Sequence, residues 1–153
     1  MKRTKVREHE IFLKGFVRVP LKRSRFGMWE VNARVNGLSI RFVVDSGANR
    51  SVIDPSDFSK LKLVSQKADG NRYSIQSVET DVKFCVLKNL KLNHFTFSPL
   101  NMVILNLEYI NRGLEAAGLP KIGGILGSDF LSHYQAVVDF KRSHMYLNSK
   151  RSG

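Results

Sequence analysis

The sequence predicts an all-β, barrel-like domain with one or two short helices. Three observations carry this reading. Short apolar stretches alternate with period two along most of the chain. Turn signals interrupt them at frequent intervals. Only short segments carry helical spacing. The chain has 153 residues, enough for one domain with its own core.

Residues 1–15 read as a basic N-terminal extension, 16–148 as the folded domain and 149–153 as a flexible tail. A first strand is expected from Phe16 to Leu21, with Pro20 confining it to an edge or to its own end. Lys22-Arg23-Ser24-Arg25 reads as a basic loop. From Trp29 to Val35 the pattern alternates, with Val31, Ala33 and Val35 on one side and Glu30, Asn32 and Arg34 on the other. Asn36-Gly37 is a hairpin signal. Leu38, Ile40, Phe42 and Val44 then alternate towards Asp45.

Ser51-Val52-Ile53 reads as a short strand. Asp54-Pro55 reads as a helix N-cap followed by proline at the first helical position. Strands are expected near Leu61–Ser65, Tyr73–Val78, Val82–Val86, Leu90–Leu92 and Asn101–Leu107. Glu108 to Ala117 has near-helical spacing, and Gly118 and Pro120 end it. Ser128 or Asp129 is expected to cap a short helix through Phe130 and Leu131. Tyr134–Phe140 reads as a strand, turned by Lys141–His144, with Met145-Tyr146-Leu147 pairing back.

Lys and Arg number 25 against 13 Asp and Glu, a formal net charge of +12. Lys2, Arg3, Lys5, Arg7, Lys14, Arg18, Lys22, Arg23 and Arg25 crowd the start of the chain. Such a run reads as a solvated arm, as a contact for an acidic partner, or as a contact for nucleic acid or an acidic membrane surface. No base-stacking motif accompanies it. The single cysteine, Cys85, excludes an intrachain disulfide and a Cys-rich zinc site, and its apolar surroundings read as a buried thiol. No stretch approaches the ~20 apolar residues of a membrane span. Lys14 interrupts Ile11-Phe12-Leu13, which argues against a signal peptide, and a cytoplasmic location is expected.

Phe42-Val43-Val44-Asp45-Ser46-Gly47-Ala48 carries the chemistry. An apolar run ends in a carboxylate, a hydroxyl and a glycine. By themselves these residues fit an ordinary Asx-type turn as well as an acid whose ionisation is put to use. Far down the chain lies Gly123-Gly124-Ile125-Leu126-Gly127-Ser128-Asp129-Phe130-Leu131. With Val43-Val44-Asp45-Ser46-Gly47-Ala48 followed by Ile125-Leu126-Gly127, the chain resembles the retropepsin-like aspartic proteases, closest in pattern to their bacterial and cellular members.

That resemblance implies a closed acid-protease-type β-barrel and an aspartic endopeptidase. Asp45 would be the catalytic acid, and Ser46, Gly47 and Ala48 its active-site loop. Ile125, Leu126 and Gly127 would pack under that loop. A flap over the substrate would include Gly70, Asn71, Arg72 and Tyr73. No metal or cofactor is required. The chain offers one Asp-Ser-Gly, so a second would come from a homodimer, with a peptide or protein as substrate. Retroviral members usually carry Asp after the Ala and Arg after the later Gly; Asn49 and Ser128 stand there instead. The alternative reading is a catalytically silent dimerisation or binding module on the same fold.

Other residues carry less. Asp129 reads as a helix cap rather than a second catalytic acid. Asp139 reads as a partner of Lys141 or Arg142. His9, His94, His133 and His144 lack metal-ligand spacing. Ser46 has no evident histidine partner.

Overall fold

The computed structural model describes residues 14–61, 63, 65–67, 83–97 and 100–151. Its elements are β1 (Phe16–Pro20), β2 (Lys22–Arg23), β3 (Trp29–Val35), β4 (Leu38–Val44), β5 (Val52–Ile53), α1 (Pro55–Lys60), β6 (Ser65–Lys67) and β7 (Lys83–Leu87). Then follow β8 (Leu90–Leu92), β9 (Phe95–Phe97), β10 (Leu100–Ile104), α2 (Glu108–Ala116), β11 (Gly124–Leu126), α3 (Ser128–His133), β12 (Val137–Asp139) and β13 (His144–Asn148). A 3-10 turn at Ser149–Arg151 closes the described chain.

The strands form a curled half-barrel in the order β6-β7-β10-β5-β11-β4-β3-β8-β9, with β2 added beside β3. A second sheet, β1-β13-β12, completes the mostly-β architecture. At the hairpin between β3 and β4, Asn36 and Gly37 take φ of 48° and 83°. A two-residue primed turn needs this backbone, which is why Asn-Gly suits it. One core spans both sheets. Val17 and Val19 of β1 and Met145 and Leu147 of β13 share it with Ala33, Phe42, Leu92, Phe97 and Phe130. Phe97 meets Tyr134 edge-on at 4.8 Å, a favoured aromatic geometry.

Strand β4 departs from simple alternation because it is covered on both faces. Phe42 lies in the main core. Val43 joins Val52, Leu107, Leu114 and Ile122 in a second cluster. A strand buried on both faces reads as a continuous apolar run, and Phe42-Val43-Val44 is one.

Several boundaries differ from the sequence reading. Lys22-Arg23 is a short strand against Trp29 and Glu30 rather than a loop. Glu30 does not face solvent with Asn32 and Arg34; it is 5% exposed and bonds Arg41 at 2.7 Å. The two lie diagonally across β3 and β4, so the partly exposed Arg41 neutralises Glu30 where the carboxylate is nearly shut off from water. Leu61 caps α1 instead of opening a strand, which begins at Ser65. The strand expected over Asn101–Leu107 ends at Ile104, and Leu107 turns in under α2. Tyr134 closes α3 with its ring in the core, so the next strand starts only at Val137. Among the described residues three short α-helices form, not one or two. Beyond β13, Ser149 donates to the Gly15 carbonyl through its N–H at 3.0 Å and its Oγ at 2.6 Å.

Asp54 caps α1 as its sequence predicts. Its Oδ1 accepts from the Ser56 N–H at 2.9 Å and the Ser56 Oγ at 2.6 Å. Its Oδ2 accepts from the Leu107 N–H at 2.9 Å, so one carboxylate joins the starts of α1 and α2. Burial pushes this carboxyl up. The hydrogen bonds from the Ser56 hydroxyl and the Leu107 and Ser56 N–H groups, with the Lys60 charge, outweigh it and hold the pKa below 3.8. A lowered folded pKa stabilises the fold above the unfolded value, and that contribution is lost as pH falls through the folded one. Asparagine would keep one cap oxygen but turn an NH2 towards the Leu107 N–H, so Asp54→Asn is expected to destabilise the domain by about 1–2 kcal/mol at neutral pH. The deficit should shrink once the pH drops below about 4. Urea midpoints of both proteins at neutral and acid pH measure this; a deficit unchanged across that range would assign the effect to capping shape rather than to charge.

Candidate active site

Strands β4 and β11 run parallel, with Phe42 opposite Gly124, Val43 opposite Ile125 and Val44 opposite Leu126. A parallel pair brings the C-terminal ends of two distant segments to the same edge. The close approach of β11 to both β4 and β5 needs glycine at position 124, where a Cβ would run into the Phe42 ring and lie 2.5 Å from the Val52 carbonyl oxygen. Helix α2 holds β11 at this place. The Asn111 amide is buried, donates to the Ile122 carbonyl at 3.0 Å and accepts from the Ile122 N–H at 2.9 Å.

Asp45 follows β4 directly. Its N–H donates to the Leu126 carbonyl at 3.0 Å, so the first residue of the loop is still held on the ladder. The chain then turns: Asp45 Oδ1 accepts from the Gly47 N–H at 2.8 Å, and the Asp45 carbonyl accepts from the Ala48 N–H at 3.2 Å. This is Asx-turn geometry. Asp45, Ser46 and Gly47 are exposed in the single chain. A Cβ on Gly47 would lie 3.1 Å from Asp45 Oδ1, so a side chain there would crowd the carboxylate.

The structure thus brings together Asp45, Ser46, Gly47 and Ala48 with Ile125, Leu126 and Gly127. Leu126 is fully buried. Gly127 N–H donates to Ser51 Oγ at 3.0 Å. Ser128 N–H donates to the Ala48 carbonyl at 2.7 Å. At Gly127 a Cβ would sit 2.7 Å from the Ala48 oxygen and 2.8 Å from the Arg50 carbonyl. Both obstacles are backbone, so no side chain fits at this crossing. Gly70, Asn71, Arg72 and Tyr73, expected in a flap, lie outside the described residues.

Asp129 does not cap α3 in the expected way. Gly127 occupies the N-cap position in extended backbone, with no side-chain cap bond. The Asp129 carboxylate reaches across to Ser51. It accepts the Ser51 N–H at 2.9 and 3.0 Å and the Ser51 Oγ at 2.7 Å, besides its own neighbour's Phe130 N–H at 2.8 Å. Two long-range donors on one buried serine outweigh a local cap. Ser51 was not legible as part of this region, because a lone serine between Arg50 and Val52 carries no pattern of its own.

The remaining candidates lie apart from the loop. Asp139 pairs with Arg142 at 2.8 Å, and the hydrogen bonds from Arg142 hold its carboxyl below the usual range. Cys85 is buried, and burial pushes its thiol up to about 11, so it is no nucleophile. Among the described residues no three His, Cys, Asp or Glu side chains converge as a metal site. Nor is any described helix long and apolar enough to cross a membrane.

Solved structures that share the fold include two aspartic-protease-like proteins. A retropepsin-like aspartic protease from Rickettsia conorii is 22% identical, with 88% of this chain and 90% of that chain covered and a TM-score of 0.54. The retroviral protease-like domain of Ddi1 from Leishmania major is 16% identical, with 80% and 88% covered and a TM-score of 0.55. A comparison with curated proteins finds no match. A family model described as aspartyl protease matches residues 31–130, the stretch that runs from the central hairpin through the Asp45 loop to α3. Spanning well over half of the chain and both crossing segments, that match places this protein in the aspartyl protease family.

Proposed function

We propose that this protein is an aspartic endopeptidase whose reacting pair is Asp45 and the Asp45 of a second copy, assembled across a homodimer twofold axis. The observation that carries this is the exposed Asp45 carboxylate on a glycine-bearing turn at the open ends of β4 and β11. One chain of the family's pattern brings one such carboxylate, and a twofold contact places the same surface patch on both sides. Two carboxylates about 3 Å apart cannot both ionise, so the pair holds one proton.

The charged member takes a proton from a water held between them. The resulting hydroxide attacks the scissile carbonyl carbon while the other member protonates the carbonyl oxygen. Collapse of the tetrahedral species breaks the C–N bond. The proton gained from water passes to the departing amine, and a hydroxyl of the diol returns its proton to the other carboxylate as the C=O bond re-forms, so the pair again holds one proton. Ser46 hydroxyls would bridge the axis and keep the two turns rigid. Gly47 would leave room for water and substrate. The substrate is a peptide or an extended protein segment with apolar residues around the cut.

Incubation with a peptide library, read by mass spectrometry from acid to neutral pH and over a range of protein concentrations, tests the reading. Cleavage between apolar residues is the expected result. Intact peptides at every pH, with a dimer demonstrated in the same samples, would leave the fold serving as a binding module instead.

A further inference from the structure

We propose that Ser51 and Asp129 form a lock that sets the position of the Asp45 turn, and that both are positioning residues for the reaction proposed above, on which this inference rests. Ser51 is fully buried, and each of its polar groups is engaged. Its N–H and Oγ donate to Asp129, its Oγ also accepts from the Gly127 N–H at 3.0 Å, and its carbonyl accepts from the Val103 N–H at 2.9 Å. One serine therefore ties the end of the Asp45 loop to β10, to the exit of β11 and to α3.

The loop is fastened at two ends. At its start the Asp45 N–H sits on the Leu126 carbonyl, and at its end Ser51 sits on Asp129, with the Ser128–Ala48 bond between them. The backbone bonds at Leu126 and Ala48 survive any side-chain change. The lock is the side-chain component, so it can be removed by itself. Asp129 has the right chemistry for it. An ionised carboxylate is acceptor-only, and here both oxygens receive the Ser51 N–H while Oδ1 also takes the hydroxyl. Such charge-assisted bonds are shorter and stronger than neutral ones. An amide at position 129 would turn an NH2 group towards at least one donor.

The lock also accounts for what stands beside it. With Asn49 and Ser128 in place of an acid and an arginine, no ion pair joins the loop to the helix at those positions. Ser128 Oγ makes only a long 3.4 Å contact with the Asn49 carbonyl. The acid that does join helix and loop is Asp129, one residue beyond Ser128, and its partners are a hydroxyl and a backbone N–H.

Ser51→Ala and Asp129→Asn, singly and together, with Ser51→Thr as the conservative variant, test the inference. Each is assayed well below its own melting temperature. Both single variants are expected to lower kcat by roughly 10- to 100-fold with KM little changed, as a small misplacement of reacting groups does. The double variant should lose no more than the worse single one. Ser51→Thr, which keeps the hydroxyl, should recover most of kcat. A loss that merely tracks the unfolded fraction, or additive losses in the double variant, would overturn the lock as a positioning device. Amide hydrogen exchange at Gly47 and Ala48 gives a readout independent of hydrolysis. Exchange should be faster in folded Ser51→Ala than in the wild-type protein. Equal protection would overturn the inference even if hydrolysis proceeds, whereas faster exchange in a protein that cuts no peptide would sustain the lock and overturn the protease reading alone.

Discussion

Asp45→Asn is expected to abolish peptide hydrolysis while leaving the fold and the oligomer as they are. The amide can neither take a proton from water nor hold the shared one, so both halves of the acid-base step are lost. Positioned proton transfer alone is worth roughly 10²–10⁴ in rate, and each dimer of the variant lacks it twice over. The structure explains why stability should be spared. Asn retains an Oδ1 that can accept the Gly47 N–H, the bond that shapes the turn. The side chain is exposed, and exposed substitutions away from caps or buried networks usually stay within about 0.5 kcal/mol. Initial rates on a cleaved peptide, with melting curves on the same samples, decide it. Hydrolysis at the wild-type rate would end the assignment of Asp45.

Specific activity is expected to rise with protein concentration until the dimer saturates, and mixing with excess Asp45→Asn is expected to suppress it. Both follow from a site that takes one carboxylate from each chain. A mixed dimer has one carboxylate and one amide, which supplies half of the required pair. The pH profile should be bell-shaped, because only the singly protonated pair reacts. Falling pH protonates the base and rising pH removes the shared proton, so the two limbs belong to the pair and to neither Asp45 by itself. Ser46→Ala should weaken dimer and activity together, since its exposed hydroxyl is the group expected to bridge the axis; about 1 kcal/mol per bond is typical. Sedimentation velocity alongside the assay is the deciding measurement. A species that stays monomeric while it cleaves peptides would sink the shared pair even if Asp45 proved essential.

What was legible in the sequence was local. Asn36-Gly37 announces a turn because the backbone it needs is one those two residues tolerate, and both are found at positive φ. Asp54-Pro55 announces a helix start because cap and first-turn proline act within three residues of each other. The period of two from Trp29 to Val35 marks a strand because its faces see different solvents. The turn after Val44 was equally readable, as an Asp followed by a Gly whose N–H can fold back on the carboxylate.

Tertiary structure decided the rest. Glu30 falls in a polar position of its strand's pattern, yet Arg41 on the neighbouring strand draws it inside, because a buried charge is tolerated only with a partner. Asp129 stands where a local cap would stand, but Ser51 offers it two donors from a loop 78 residues earlier. No periodicity or composition marks a pairing at that separation. It exists only because the parallel contact of β4 with β11 carries both chain segments past the same edge, where Gly127 is bare enough to let the backbones cross.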